Sequence, residues 1–292
     1  MPGLLQRVQF CYMILIKHIE SLHNLLKVYT DKSFSIGFVP TMGALHPGHL
    51  SLIEASRAEH PITVCSIFIN PTQFNNPIDF QQYPVTIEED IRLLESTGCD
   101  ILFLPSTAEM YPPGDTTKNF KLGYIESVLE GAHRPGHFQG VCRIVDKLLS
   151  LVKPHTIYLG RKDYQQCMVI RKLISLEGHL TNVSVCDTLR EPGGLAMSSR
   201  NMRLNGLEKL AATLLYATLQ NMKANLSRHN PADVQRTAVE NLTHHGFEVD
   251  YAEIADTHTL KSVKDLQPDQ IVVGLVAASI GGVRLIDNLL LN

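Results

Sequence analysis

The chain has 292 residues, enough for a sizeable core in one large domain or two, and 44% of them are hydrophobic, an ordinary share for a globular protein. Lys and Arg number 26 against 29 Asp and Glu, a net charge of −3, so there is no basic surplus to drive nucleic-acid binding and no nucleic acid is expected as a partner. The apolar run at 13–16 is too short for a membrane span, and six cysteines (11, 65, 99, 142, 167 and 186) without a Cys-x-x-Cys spacing fit the reduced thiols of a cytoplasmic protein.

Residues 1–12 offer no pattern on which to build structure. Residues 34–39 form a short apolar run that predicts a buried strand, and Leu50, Ile53, Glu54 and Arg57 follow at helical spacing. Between them lies Pro40-Thr41-Met42-Gly43-Ala44-Leu45-His46-Pro47-Gly48-His49. Gly43 and Gly48 let backbone approach a ligand, Pro47 suits a first helical turn, and the helix start offers N–H groups and a positive dipole end to a phosphate. His46 and His49 stand three apart, so both can face one bound group. A metal pair is the alternative, but no Glu- or Cys-rich cluster nearby completes a ligand set.

Residues 62–69 predict a second buried strand, followed by the loop Asn70-Pro71-Thr72-Gln73-Phe74. Gln73 falls at the carboxyl end of that strand, where doubly wound sheets bind ligands, and its amide suits a hydroxy-carboxylate; plain turn chemistry is the alternative. Residues 86–96 predict a helix entered through Glu88-Glu89-Asp90, which reads first as dipole complement. Residues 100–104 predict a strand, 108–118 a loop and 119–122 a short strand. The loop containing Arg134 and His137 leads into an apolar helix ending near 152, and by itself could be a solvated cap.

A strand at 155–159 ends on Gly160-Arg161-Lys162-Asp163-Tyr164-Gln165-Gln166, which opens a helix to about 177. Lys162 can neutralise phosphate charge and Asp163 can accept from ribose hydroxyls; a surface ion pair is the alternative. After a last strand at 182–187, Gly193 and Gly194 give a flexible approach to Met197-Ser198-Ser199-Arg200-Asn201, whose hydroxyls and cation suit a departing pyrophosphate. Helices at 207–225 and 231–245 and strands at 249–255, 271–279 and 283–289, with Gly281 and Gly282 as a hairpin turn, complete a compact α+β region.

His46-Pro-Gly-His49 resembles the His-Ile-Gly-His signature of the nucleotidyltransferase superfamily. With Asn-Pro-Thr-Gln-Phe, Gly-Arg-Lys-Asp and Met-Ser-Ser-Arg in matching order, nearly everything from Met13 onward resembles the pantoate–β-alanine ligases. The resemblance implies a doubly wound α/β Rossmann-like domain over 13–187 that binds ATP and pantoate. A smaller α+β domain over 188–292 would carry the Ser-Ser-Arg loop and act as a lid, with 1–12 a doubtful extension. It implies condensation of (R)-pantoate with β-alanine through an acyl-adenylate, with ATP going to AMP and pyrophosphate in the presence of Mg²⁺, whose ligands stay unidentified; a water-mediated role for the acidic turn Glu88-Glu89-Asp90 is the alternative to dipole complement that the resemblance leaves open. ATP would lie along Met42, Gly43, Ala44, Leu45, His46, Pro47, Gly48 and His49, along Gly160, Arg161, Lys162 and Asp163, and along Leu189, Met197, Ser198, Ser199 and Arg200. His46, His49 and Lys162 would be catalytic, with His49 the proton donor; Gln73 and Gln166 would hold pantoate, supported by Arg134 and His137. A homodimer is implied as well. Arg161, Asn75, Met202 and Val85 depart from the family pattern, Arg161 by adding charge beside the phosphates. A nucleotidyltransferase acting on a phosphorylated acceptor and a non-catalytic nucleotide sensor are the alternatives.

Overall fold

The largely apolar stretch Ile62–Ile67, with Thr63 and Ser66 within it, forms a strand buried along its whole length, as a central strand of a sheet covered on both faces must be. It belongs to a six-stranded parallel sheet in the computed structural model, which describes residues 12–114 and 117–292. The expectation for 1–12 lies outside these residues except at Tyr12, which is exposed.

In chain order the elements are β1 (Ile14–Ile16), α1 (Ile19–Asp31), β2 (Ile36–Thr41), α2 (Pro47–Glu59) and β3 (Ile62–Ile67). Next come α3 (Pro77–Gln81), α4 (Ile87–Thr97), β4 (Ile101–Phe103), α5 (Thr107–Met110), α6 (Glu130–His133) and α7 (His137–Val152). Then follow β5 (Thr156–Gly160), α8 (Tyr164–Glu177), β6 (Asn182–Cys186), α9 (Gly206–Ala212), α10 (Leu214–Asn225) and α11 (Pro231–His244). The antiparallel strands β7 (Glu248–Asp256), β8 (Val272–Ile280) and β9 (Val283–Leu290) end the chain.

The chain divides into two compact units. The first comprises the described residues up to Gly123 with Arg134–Gly160 and Gln166–Cys186; the second comprises Tyr124–His133, Arg161–Gln165 and Asp187–Asn292. In the first unit the strand order is β1-β4-β3-β2-β5-β6, so the winding reverses between β2 and β5, and the carboxyl ends of those strands flank the crevice where such sheets take ligands. Pro40 sits in β2 without breaking the sheet. The Ile36 N–H donates to the His155 ring Nδ1 and its C=O accepts the His155 N–H, both on the β5 side, so Pro40, four residues on, also points that way, and β5 pairs β2 only at Gly37 and Phe38. Its missing N–H thus lies where the sheet has already opened. In the second unit, α10 and α11 pack on the three-stranded sheet, burying Leu215, Leu219, Met222, Val234, Ala238 and Leu242.

Several local expectations are corrected. Residues 119–122 are not a strand, because the Gln139 amide takes both backbone groups of Phe120, accepting its N–H and donating to its C=O, each at 2.9 Å. The stretch 207–225 is two helices parted at Thr213, and the loop at 108–118 begins inside α5. Cys65, Cys99, Cys142 and Cys167 are buried free thiols and Cys186 is a half-buried one, while Cys11 lies outside the described residues. No helix among the described residues is long and apolar enough to cross a membrane.

Candidate active site

In the first unit, β2 leads into a loop that returns as α2. Gly43 (φ +83°) and Ala44 (φ +49°) turn the Ala44 and Leu45 N–H groups onto the buried Asp90 carboxylate at 2.9 and 2.8 Å. The same carboxylate accepts from Thr86 Oγ1 at 3.1 Å. Asp90 therefore does more than complement the dipole of α4: it holds the loop that delivers the histidines. Glu88 and Glu89 pair with Arg92 on the surface instead.

His46 caps α2 and Pro47 opens it. The His46 N–H donates to His49 Nδ1 at 3.4 Å, which leaves Nε2 as the seat of the His49 ring proton. The two rings stack with centroids 3.9 Å apart. Few backbone N–H groups remain for an anion here: those of Ala44 and Leu45 face Asp90, Pro47 has none, and His49 donates its own to the His46 C=O at 2.7 Å. The positive dipole end of α2 keeps that capacity.

Gln73 follows β3 in a 3₁₀ turn that starts from Asn70. Asn70 is buried and fully engaged. Its Nδ2 donates to Gln73 Oε1 and to the Gly140 C=O, both at 3.1 Å, and its Oδ1 accepts from Tyr111 Oη at 2.8 Å and Thr72 Oγ1 at 3.0 Å. Gln73 Nε2 donates to Met42 Sδ at 2.9 Å, tying the turn to the end of β2. His137 is buried rather than a solvated cap residue. A guanidinium can only donate, so the 3.2 Å contact from Arg134 Nη1 makes His137 Nε2 an acceptor, and His137 Nδ1–H donates to the Gln73 C=O at 2.8 Å. Arg134 and His137 thus support Gln73 through its backbone. Gly140 permits the close approach this requires, since a Cβ there would stand 2.1 Å from the Thr72 carbonyl oxygen. Gly160 ends β5 opposite Cys186, and Gln166 is half-buried in the first turn of α8.

In the second unit, Arg161, Lys162 and Asp163 form a 3₁₀ turn, with Lys162 Nζ 3.6 Å from Asp163 Oδ1. Arg161 pairs with Asp187 at 2.5 Å, so part of the charge it was expected to add is already answered. Gln165, beside Gln166 in sequence, is a structural residue: it accepts the Glu130 N–H and donates to the carbonyls of Ile125 and Val128. The approach to the Ser-Ser-Arg segment is a hairpin rather than a loose linker. Arg190 bridges Ala196, Glu191 N–H donates to the Leu195 C=O, Gly194 N–H to the Glu191 C=O, and Met197 N–H to the Leu189 C=O. A 3₁₀ turn, Ser199–Arg203, follows, with Ser199 and Asn201 buried and Ser198, its N-cap, accepting from the Arg200 N–H.

The family model for pantoate-beta-alanine ligase matches residues 14–290. The chain belongs to that family. Among related pantoate–β-alanine ligases, the pantothenate synthetase of Cytophaga hutchinsonii is 43% identical over 284 residues, covering 96% of this chain and 99% of that one. The pantothenate synthetase of Bacteroides fragilis is 41% identical over 278 residues, covering 95% of this chain and 98% of that one. The crystal structure of the Thermus thermophilus enzyme superposes with a TM-score of 0.89 at 39% identity, covering 96% of this chain and 99% of that one. The crystal structure of the Francisella tularensis pantoate-β-alanine ligase, complexed with beta-gamma ATP and β-alanine, gives 0.81 at 38% identity, covering 96% of this chain and 98% of that one.

Membership makes the chain an enzyme, a ligase of pantoate and β-alanine. Among the described residues no group of three His, Cys, Asp or Glu side chains converges to hold an ion. The sequence did not show what Asn70, Asp90, Gly140 and Asn288 hold, because the backbone each one meets is distant along the chain.

Proposed function

We propose that ligation proceeds in two steps. The (R)-pantoate carboxylate attacks the α-phosphorus of ATP, releasing pyrophosphate and leaving a pantoyl-adenylate; the amine of β-alanine then attacks the acyl carbon, and AMP leaves. Nucleophile and nucleotide are both anionic, so the first step needs donors and positive charge aimed at the transferring phosphorus. The paired His46 and His49 at the start of α2, with stacked rings and the His46 N–H directed at His49 Nδ1, are the observation that carries this reading. His46 and His49 bind the phosphates and His49 serves as proton donor. Lys162 meets the α- and β-phosphates, Asp163 the ribose, and Ser198, Ser199 and Arg200 the departing pyrophosphate. Gln73 and Gln166 bind pantoate, with Gln73 held by Asn70, Met42 and His137. Magnesium enters with the nucleotide, as MgATP. The resemblance further supports a homodimer, which sedimentation at micromolar concentration tests, and the scattered thiols support a reducing, cytoplasmic setting.

The deciding experiment is exchange of labelled pyrophosphate into ATP with (R)-pantoate present and β-alanine absent. The reading expects exchange, and expects His49→Ala and Lys162→Ala each to cut it by roughly a hundredfold or more. Release of ADP would replace the adenylate with an acyl phosphate. Full exchange in His49→Ala, with amide formation alone lost, would move His49 to the second step.

A further inference from the structure

Asn288 lies in β9, 4% exposed and remote in sequence from both phosphate-facing segments. Its Nδ2 donates to two consecutive carbonyls, that of Arg161 at 2.9 Å and that of Lys162 at 2.8 Å. Both amide hydrogens are thereby used, and the carbonyls on either side of the Lys162 Cα are pinned. Its neighbour Asp287, 3% exposed, accepts Arg190 Nη1 at 2.6 Å and Nη2 at 3.0 Å, a two-pronged pair. Arg190 also donates to the Gly194 C=O at 2.9 Å and to the Asn288 C=O at 3.3 Å, and its guanidinium lies 3.8 Å over the Tyr216 ring. Arg190 begins the hairpin that returns through Ala196 into Ser198, Ser199 and Arg200. Asn201 locks the turn to that hairpin by donating to Glu191 Oε1 at 2.8 Å and to the Ala196 C=O at 3.1 Å.

We propose that Asp287 and Asn288 are a positioning pair that sets Lys162 in register with the Ser198-Ser199-Arg200 turn for the phosphates of ATP. The proposal rests on the reading of these residues as phosphate ligands. A long cationic side chain stabilises a transition state only when its base is fixed, because displacement by about 1 Å can cost on the order of a hundredfold in rate. Here one strand supplies the template for both segments. Asn288 fixes the backbone under Lys162, and Asp287 fixes the arginine that anchors the hairpin.

The test measures pyrophosphate–ATP exchange, the KM values for ATP and pantoate, and thermal unfolding. It covers Asn288→Ser, the shape-conserving Asn288→Asp, Lys162→Ala and the double variants, with the buried β9 variant Leu285→Ala reporting stability loss alone. Either Asn288 variant is expected to lower exchange about tenfold or more with the pantoate KM unchanged, and to change it less than about twofold once Lys162 is Ala. An Asn288 effect of equal size in both backgrounds, or no larger than that of Leu285→Ala, overturns the positioning role while leaving Lys162 as a ligand. Wild-type exchange in Lys162→Ala overturns the phosphate reading itself.

Discussion

Asp90 Oδ1 accepts the Leu45 backbone N–H at 2.8 Å across 45 residues of chain, while its other oxygen takes the Ala44 N–H at 2.9 Å. The loop that presents His46 and His49 is therefore shaped by a buried carboxylate bonded to its backbone. Asp90→Asn keeps the shape but turns a donor toward at least one N–H. A backbone bond to a charged acceptor contributes about 1.5–3 kcal/mol. Urea unfolding should show a loss of that order, and pyrophosphate exchange should fall with it; unchanged exchange would show that the histidines hold their place without Asp90.

Gly140→Ala tests the seat of Gln73. The new methyl would meet the Thr72 carbonyl oxygen at 2.1 Å and the Gln73 Cα at 2.6 Å, both backbone, so α7 and the turn must part. Overpacking of this kind costs about 1–3 kcal/mol or more. The pantoate KM should rise more than the ATP KM, and equal rises would place Gln73 outside the pantoate site.

Glu130→Ala concerns the stability of the second unit. Arg284 donates to both Glu130 oxygens at 2.7 and 2.8 Å and to Asp250 at 2.6 Å, and Tyr251 Oη donates to Glu130 at 2.8 Å. Removing one partner of such a buried pair costs about 3–5 kcal/mol. Denaturant midpoints should show Glu130→Ala far less stable than the double variant Glu130→Leu with Arg284→Met, which removes both charges.

Acid should weaken the fold through His60. Burial lowers its pKa below the usual 6.5, Glu59 raises it in part, and His155 adds to the lowering. Its Nε2 has no hydrogen-bond partner among the described residues, so a proton added there would be buried without an acceptor. The unfolded chain therefore takes up a proton near pH 6.5 that the folded chain refuses. The His60 contribution is complete above that pH and is lost as pH falls below it. Urea midpoints between about pH 7.5 and 5.5 should decline less steeply in His60→Gln than in the parent. Parallel declines would assign the acid response to other groups.

By itself the sequence determined the parallel core strands, because largely apolar, β-branched runs such as Ile62–Ile67 cannot be left in water, and it determined the family, because four motifs follow one another in order. It also marked Gln73 and Lys162 by their place just beyond predicted strands. It did not distinguish Gln165 from Gln166, one of which ties down the segment 124–133, nor show that Arg161 meets Asp187. Asn70 and Asp90 were legible only as a motif residue and an acid at a helix start, and Asn288 carried no local signal. Their partners lie 70, 45 and 127 residues away, at Gly140, Leu45 and Arg161. Periodicity and composition report how a segment divides itself between water and core. Which buried amide or carboxylate satisfies which distant backbone group is decided only when the packed units leave those groups no water to bond, and that pairing belongs to the tertiary structure.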